Sequence, residues 1–260
     1  MTTIRIAHSP DSDDAFMFHA LLHGEVEAEG LQFVAETHDT ESLNALADEA
    51  RIDVLAVSLA RYATIADRYL LLPHGASVGR GYGPVVLTKD AQPLEAFAGK
   101  RIAVPGLRTT AYLVLRLLLD SFEPVVVPIT PHDAVWTALR SGEVDAALVI
   151  HEGRLTYERE GFALVCDVGE AWSSAHGLPL PLGVNVIRRG LGMPLIERVS
   201  RACSRSIAWA LANRDRLMLE LASASGPLDA ADLDRYLEMY ANADTERMAP
   251  DVIRSIETLF

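Results

Sequence analysis

The clearest chemical signal in the sequence is a histidine at the end of an apolar run. His151 follows Asp145-Ala-Ala-Leu-Val-Ile150, which predicts a buried strand, and Glu152 comes next. Ligands of open α/β sheets bind beyond the C-terminal ends of the strands, so His151 is expected to face a cleft. Imidazole is suited to proton transfer near neutral pH, which makes His151 a candidate general base. A histidine that only bonds to the backbone would fit the same position, and the residues alone leave both interpretations open.

Further polar residues follow other predicted strands. Ser9 and the acidic run 11–14 come after the first strand, Ser58 after the third, and Thr109-Thr110 after a later one. Hydroxyls and free N–H groups at the start of a helix can bind an anion, and this predicts a carboxylate site at Thr109 and Thr110. Simple N-capping would explain these residues and Ser58 equally well.

The sequence lacks the complete motifs of several other kinds of ligand site. The glycine-rich loop Gly79–Pro84, which contains Arg80, is neither a phosphate-binding loop nor a dinucleotide fingerprint, because no Gly-Lys-Ser/Thr and no helix follows it. It could contact a ligand, form a hinge or be a plain loop. The run 11–14 lacks the glycine and the distal glutamate of a calcium loop, and the two cysteines lie in no zinc or redox motif. We therefore expect no metal and no cofactor.

Composition limits the partners and the compartment. The chain has 260 residues, half of them apolar, with 23 Lys+Arg against 36 Asp+Glu and a net charge of −13. This acidic balance argues against nucleic acid as a partner, although local groups can still bind a small anionic organic substrate. Residues 1–14 contain no apolar signal region, and no run is long enough to span a bilayer. These features predict a cytoplasmic protein without membrane contact.

Strand and helix patterns alternate along most of the chain. This alternation predicts an α/β fold with mostly parallel sheets covered by helices, and helices alone after residue 193. Predicted strands cover 3–7, 31–36, 54–57, 101–104, 125–128, 145–150 and 163–167. Predicted helices cover 14–22, 40–50, 58–66, 110–119, 130–141, 195–212, 216–224, 230–241 and 249–259. The last group offers a surface on which a homodimer could form.

Two short apolar segments look like crossings between lobes. Residues 84–88 and 183–187 are both bounded by Gly and Pro. If the chain leaves one lobe at the first and returns at the second, the large lobe is 1–84 plus 188–260 and the small lobe is 89–182. Two α/β lobes joined by two hinge strands form a cleft, as in periplasmic binding proteins of type II. A single three-layer domain is the alternative.

Four blocks of sequence resemble the 1,4-dihydroxy-6-naphthoate synthase family, which acts in the futalosine route of menaquinone biosynthesis. The most specific block is Val149-Ile-His-Glu-Gly-Arg-Leu-Thr-Tyr157. The others are Ala103-Val-Pro-Gly-Leu-Arg-Thr-Thr-Ala-Tyr112, Val78-Gly-Arg-Gly-Tyr-Gly-Pro84 and Gly177-Leu-Pro-Leu-Pro-Leu-Gly183. Their order and spacing match the family over nearly the whole chain.

The resemblance implies a two-lobed binding-protein-like fold and a lyase that needs no metal or organic cofactor. The substrate would be cyclic dehypoxanthinylfutalosine, and the products 1,4-dihydroxy-6-naphthoate and dihydroxyacetone. By position, His151 would be the catalytic base. Together, the residues and the resemblance predict as binding residues Ser9, Asp14, Asn44, Ser58, Gly79, Arg80, Thr109, Thr110, Ala111 and Glu152.

The sequence departs from the family pattern at the first cleft segment. Where the family usually shows Ser-Pro-Cys-Pro-Asn-Asp-Thr-Phe, this chain has Ser-Pro-Asp-Ser-Asp-Asp-Ala-Phe at 9–16, and Ala56 replaces a common lysine. The cleft rim is expected to be more acidic and to attract an anionic substrate less strongly. The alternative function is a non-catalytic or differently specific small-carboxylate-binding protein on the same scaffold.

Overall fold

The computed structural model describes residues 2–129, 133–222 and 228–260, and their strands form two sheets. The first sheet contains β1 (Thr2–His8), β2 (Leu31–Thr37), β3 (Val54–Ser58), β4 (Tyr69–Leu71), β5 (Ser77–Gly79) and β11 (Leu180–Arg188). Its order is β2-β1-β3-β11-β4, and β5 also pairs with β11.

The second sheet has five strands. It contains β6 (Val85–Thr88), β7 (Arg101–Val104), β8 (Glu123–Val126), β9 (Ala146–Val149) and β10 (Ala163–Asp167). Its order is β10-β6-β9-β7-β8. Most of these strands lie within two residues of their predicted bounds, because β-branched runs between turn residues mark them in the sequence.

Both sheets are mixed, and this corrects the prediction of mostly parallel sheets. β1 pairs in parallel with β2 and β3, and β7 pairs in parallel with β8 and β9. β11 runs antiparallel to β3, β4 and β5, and β6 runs antiparallel to β9 and β10. The α/β alternation indicated the parallel pairs, but the two strands at the predicted crossings enter their sheets in the opposite direction.

The two predicted crossing segments lie inside these sheets. Residues 85–88 form β6 of the second sheet, and residues 183–187 belong to β11 of the first sheet. Each crossing strand therefore has hydrogen-bonded neighbours on both sides. The predicted lobes, 1–84 plus 188–260 and 89–182, and a hinge motion between them stay a prediction.

Helices connect and cover the strands. They are α1 (Ser12–Leu22), α2 (Thr40–Leu46), α3 (Leu59–Tyr62), α4 (Thr110–Leu118), α5 (Asp133–Ser141), α6 (Gly153–Thr156), α7 (Val168–His176), α8 (Met193–Ala212), α9 (Arg214–Ala222), α10 (Ala230–Tyr240), α11 (Ala243–Glu246) and α12 (Pro250–Leu259). Short 3₁₀ turns cover Leu94–Phe97 and Arg189–Leu191. No helix in the described part of the chain combines the length and apolarity that a bilayer crossing requires.

Several helices differ from prediction, and the short helices α6 and α11 were not predicted. α2 ends at Leu46 rather than near Ala50, which has a left-handed backbone with φ 48°. α3 ends at Tyr62, four residues earlier than predicted. α7 was not predicted, although the Asp167 side chain caps its start and Gly177, with φ 66°, ends it. The predicted helix start at Pro131 lies outside the described residues.

Helix α1 is packed on two sides, and this holds its first turn in place. Met17 and Phe18 join the apolar cluster that includes Ile4 and Ile6 of β1. Phe16 faces the other way and packs in the cluster formed by α9 and α10. Burying large apolar side chains contributes about 1.5–3 kcal/mol each, so α1 is anchored firmly. Its N-terminal acidic residues are thereby fixed at one edge of the first sheet.

Candidate active site

A cleft collects polar residues from both sheets and from α10. Its empty space, including the open mouth, is about 750 Å³. The lining residues include Ser9, Ser58 and Asn185 from the first sheet region, and Thr109 and His151 from the second. The site thus draws on strand ends that are far apart in sequence.

His151 lies in this cleft with a partner at each ring nitrogen. Its Nδ1 is 3.2 Å from Asp11 Oδ2 and 3.3 Å from the Tyr236 hydroxyl, and its Nε2 is 3.0 Å from Thr40 Oγ1. The backbone of His151 is left-handed, with φ 55°. Such a conformation is uncommon for residues other than glycine and clusters at functional positions. The side chain is therefore oriented by side chains of three other elements and not only by its own backbone.

The first turn of α1 brings three carboxylates to the imidazole. Asp13 accepts hydrogen bonds from Ser77 Oγ at 2.7 Å and from the Tyr236 hydroxyl at 3.1 Å. Asp14 accepts the Ser9 N–H at 2.8 Å. Burial raises the pKa of Asp11 to about 8 and that of Asp13 to about 6, because a buried carboxylate loses its hydration. This part of the site thus holds protons near neutral pH.

Opposing effects act on the pKa of His151. Burial alone lowers it, but attraction from Asp11, Asp13, Glu152 and Asp14 outweighs burial, and the pKa lies above the ordinary 6.5. Asp11 is the strongest of these carboxylates. Because Asp11 and His151 are in contact, they titrate as a pair. A base with a pKa near the working pH is effective in proton transfer.

Thr109, Thr110 and Ala111 line the cleft where α4 begins. Thr109 is the N-cap: its hydroxyl accepts the Tyr112 N–H at 3.2 Å and donates to Gly106 O at 2.9 Å. The Thr110 hydroxyl donates to Leu182 O at 2.7 Å. Both hydroxyls are thus engaged, and a ligand role here falls to the N–H groups of the first helical turn. That role stays a prediction.

Asn44 and Ser58 form a buried pair beside the cleft. Asn44 Nδ2 donates to Ser58 Oγ at 3.0 Å, and Asn44 Oδ1 accepts the Ser58 N–H at 2.9 Å. Ser58 lines the cleft, whereas Asn44 is fully buried behind it. The arrangement gives Asn44 the role of holding Ser58 in position.

Glu152 lies behind His151 and contacts α1. Its Oε1 accepts hydrogen bonds from the Ser12 N–H at 3.1 Å and the Ser12 hydroxyl at 3.0 Å. Donor atoms of Asp11, His151 and Glu152 lie within 4.8 Å of one another. However, the Glu152 oxygen is already bonded to Ser12, and Asp11 already contacts the imidazole, so we assign no metal to these residues.

The structure does not bring Gly79 and Arg80 to the cleft, which corrects their selection as binding residues. The Arg80 guanidinium contacts the Asp244 carboxylate at 2.6 and 2.8 Å and the Asp251 carboxylate at 2.8 and 3.2 Å. Gly79 lies against the backbone of Tyr82, where a Cβ would clash. The arginine therefore fastens the glycine-rich loop to the C-terminal helices instead of meeting a ligand.

Sequence reasoning missed several residues that line the cleft. Thr40, Ser77, Asn185 and Tyr236 lie in it, and Asn185 Oδ1 is buried without a hydrogen-bond partner among the described residues. Thr40 begins α2 directly after a strand and connecting turn, so the rule used for Ser58 would have found it. Tyr236 lies mid-helix in a region without strands, and no local signal indicates its role.

The charge of the cleft is unusual for a site that would bind an anion. The lining within the described part of the chain includes Asp13 and Asp14 but no Lys or Arg. Positive charge can therefore come only from a protonated His151 and from helix N–H groups. Asp13 and Asp14, which were expected at an acidic rim, line the cleft as buried residues.

The chain is similar in sequence to known proteins over nearly its whole length. The family model described as Menaquinone biosynthesis matches residues 4–260. The chain is 39% identical to a 1,4-dihydroxy-6-naphthoate synthase of Thermus thermophilus, with all of this chain and 93% of the relative aligned. It is 36% identical to an enzyme of the same name from Streptomyces coelicolor, over 99% of this chain and 91% of that enzyme.

Solved structures are also similar. A crystal structure of an Archaeoglobus fulgidus protein shares 43% identity with a TM-score of 0.93, covering 99% of this chain and 95% of that one. An alkanesulfonate-binding protein from Xanthomonas axonopodis pv. citri, bound to MOPS, has a TM-score of 0.72 at 18% identity, covering 99% and 91%. The second likeness concerns the fold alone and confirms the predicted periplasmic-binding-protein-like architecture.

Proposed function

The chain belongs to the menaquinone biosynthesis family, and from this premise we propose that it is a 1,4-dihydroxy-6-naphthoate synthase that acts in the cytoplasm. The substrate is cyclic dehypoxanthinylfutalosine, a small organic anion. The reaction is a lyase reaction in which a carbon–carbon bond breaks and the products are the naphthoate and dihydroxyacetone. No co-reactant is needed, because one molecule divides into two.

His151 is the base in this proposal. Its Nε2 lies 3.0 Å from Oγ1 of Thr40, a residue that lines the cleft, while Nδ1 is held by Asp11 and Tyr236. Neutral His151 removes a proton from the bound substrate through Nε2. The electron pair left on the substrate forms a double bond of the new aromatic ring as the carbon–carbon bond to the three-carbon fragment breaks. That fragment takes the proton back from His151 and leaves as dihydroxyacetone. Closure of the cleft around the substrate orients it and keeps water away from the reacting atoms.

The substrate carboxylate binds at the start of α4. The N–H groups of Thr110 and Ala111 belong to the first turn, whose donors have no partner within a helix. The positive end of the helix dipole favours an anion there. Since the cleft lining contributes no Lys or Arg, these groups and His151 supply its attraction for a carboxylate.

The single observation that supports this function best is an imidazole at a strand end, inside a cleft, in a chain 36–39% identical to two synthases of that name. The test is to incubate the purified protein with cyclic dehypoxanthinylfutalosine and to look for the naphthoate by mass spectrometry. Wild-type protein should form it, and His151→Asn should not. Asparagine is the suitable replacement because it tolerates the left-handed backbone that His151 adopts.

His23→Asn is the matched control, because this exposed histidine ends α1 outside the cleft and its loss should leave turnover unchanged. Absence of naphthoate with wild-type protein would reject the proposed reaction. Product formation by His151→Asn at the wild-type rate would reject the role of His151 as the base. Tight binding of the substrate without any turnover would favour a small-carboxylate-binding protein on the same scaffold.

A further inference from the structure

We propose that Asp11 is a positioning residue for His151: its carboxylate, in ion-pair contact with Nδ1, favours a proton on that nitrogen and thereby leaves Nε2 as the basic nitrogen in the cleft. The proposal rests on the proposed function, in which His151 is the base. The contact itself is a separation of 3.2 Å between Asp11 Oδ2 and His151 Nδ1. Asp11 is 8% exposed, so water competes little for this contact.

The neighbours of Nδ1 decide which ring nitrogen carries the proton. The Tyr236 hydroxyl, 3.3 Å from Nδ1, donates its own hydrogen to Asp13 Oδ1 at 3.1 Å. Towards the imidazole it can therefore only accept. Above the pKa of Asp11, about 8, its carboxylate is also an acceptor, so both neighbours then require a hydrogen on Nδ1. In neutral His151 this leaves the lone pair on Nε2, which Thr40 Oγ1 can meet as a donor at 3.0 Å.

The side chain of Asp11, which directly precedes α1, is not used as a helix cap. Asp11 is the N-cap of α1, where an aspartate ordinarily accepts a hydrogen bond from the first helical turn. Its side chain makes no such capping bond. Glu152 caps this helix start instead, because its carboxylate accepts a hydrogen bond from the Ser12 N–H at 3.1 Å. One carboxylate thus serves the helix start, and the carboxylate of Asp11, which is also hydrogen-bonded to Ser9, is available to the imidazole.

The charged and titratable groups that act most strongly on His151 come from three parts of the described chain. Asp11, Asp13 and Asp14 face it from the start of α1, Glu152 follows it in the chain, and Tyr236 reaches it from α10. Among the carboxylates Asp11 has the largest effect and raises the pKa of His151 against the effect of burial. Asp11→Asn should therefore move the acid limb of the pH profile to lower pH. It should also lower kcat, because an amide can turn its N–H towards Nδ1 and place the ring proton on Nε2.

The activity test compares pH profiles of kcat and kcat/KM for wild type and Asp11→Asn. We expect kcat to fall at least about tenfold on the high-pH plateau, KM to change less than about threefold, and the acid limb to move to lower pH. Asp11→Glu should restore part of the rate, because it returns a carboxylate. Asp229→Asn is the matched control: it removes the same charge from the N-cap of α10, and asparagine caps equally well. An unchanged acid limb in Asp11→Asn would overturn the proposal, and so would an equal fall in kcat for Asp229→Asn.

A second readout is independent of turnover. The ¹⁵N chemical shifts of the two ring nitrogens report which one is protonated, and His151→Asn identifies the resonances. In wild type at high pH we expect the proton on Nδ1, and in Asp11→Asn a shift towards Nε2 and a lower titration midpoint. The same tautomer and midpoint in both proteins would overturn the role of Asp11. A positive NMR result in a protein that forms no naphthoate would reject the reaction and keep the Asp11–His151 pairing.

Discussion

The carboxylate of Glu152 accepts two hydrogen bonds from Ser12, one from its backbone N–H at 3.1 Å and one from its hydroxyl at 3.0 Å. Ser12 is the first residue of α1, and the two residues are 140 positions apart in the chain. Since Glu152 follows His151 directly and Ser12 follows Asp11 directly, these bonds hold the two partners of the proposed dyad opposite each other.

Removing this link should lower both stability and activity. Glu152→Ala leaves the buried N–H and hydroxyl of Ser12 without an acceptor, which is expected to lower the free energy of unfolding by about 1–3 kcal/mol. Glu152→Gln keeps an amide oxygen as acceptor and should lose less than about 1 kcal/mol. Urea denaturation measures both values. Equal losses for the two variants would contradict the importance of the Ser12 hydrogen bonds.

Arg80→Met should affect stability rather than substrate binding. Asp244 is only 5% exposed and would lose its guanidinium partner, although Arg80 itself is partly exposed and solvent weakens the pair. We expect an unfolding free energy lower by about 1–2 kcal/mol and a KM within about twofold of wild type. Arg108→Met, which removes a more exposed ion pair with Glu41, is the control and should lower the free energy of unfolding by less. A large rise in KM at unchanged stability would place Arg80 at the ligand after all.

Thr109→Val tests the start of α4. Valine cannot accept the Tyr112 N–H, and the loss of this cap is expected to cost about 1 kcal/mol. The first turn, which carries the proposed carboxylate-binding N–H groups, should then be less well ordered and bind 1,4-dihydroxy-6-naphthoate more weakly in calorimetry. Thr109→Ser keeps the capping hydroxyl and serves as the control. Wild-type affinity in Thr109→Val would exclude carboxylate binding at this helix start.

The burial of His74 should make the folded protein less stable in acid. It is 4% exposed, and burial lowers its pKa to about 4, whereas an unfolded histidine titrates near 6.5. Between pH 6.5 and 4 the unfolded chain binds more protons, so the free energy of unfolding falls as the pH falls through this window. At pH 4, His74 should have lowered the free energy of unfolding by on the order of 3 kcal/mol relative to neutral pH, since each unit of pKa difference is worth about 1.4 kcal/mol.

The measurement is the pH dependence of unfolding in urea for wild type and His74→Gln. The variant should lose less stability between pH 6.5 and 4, because glutamine does not take up a proton. His176→Gln, at an exposed histidine, should follow the wild-type curve. Parallel curves for wild type and His74→Gln would show that His74 does not contribute to the acid sensitivity.

Local patterns in the sequence were sufficient for much of the fold. Short apolar runs rich in β-branched residues and the turn residues around them marked β1, β7 and β10, and the capping residue Thr109 marked the start of α4. Such signals act within a few residues, so they can be recognised without knowing the fold. The place of His151 at a strand end, and the motif around it, also followed from local sequence.

The tertiary structure alone decided which groups meet His151. Asp11 precedes it by 140 residues, Thr40 by 111, and Tyr236 follows it by 85. It also decided that β6 and β11 run antiparallel to their neighbours, and that Arg80 binds Asp244 instead of facing the cleft. These contacts depend on how two sheets and their helices pack together, and packing between distant segments leaves no periodic trace in the sequence. The chemical type of the base could be read from the chain, but the environment that sets its proton affinity exists only in the folded protein.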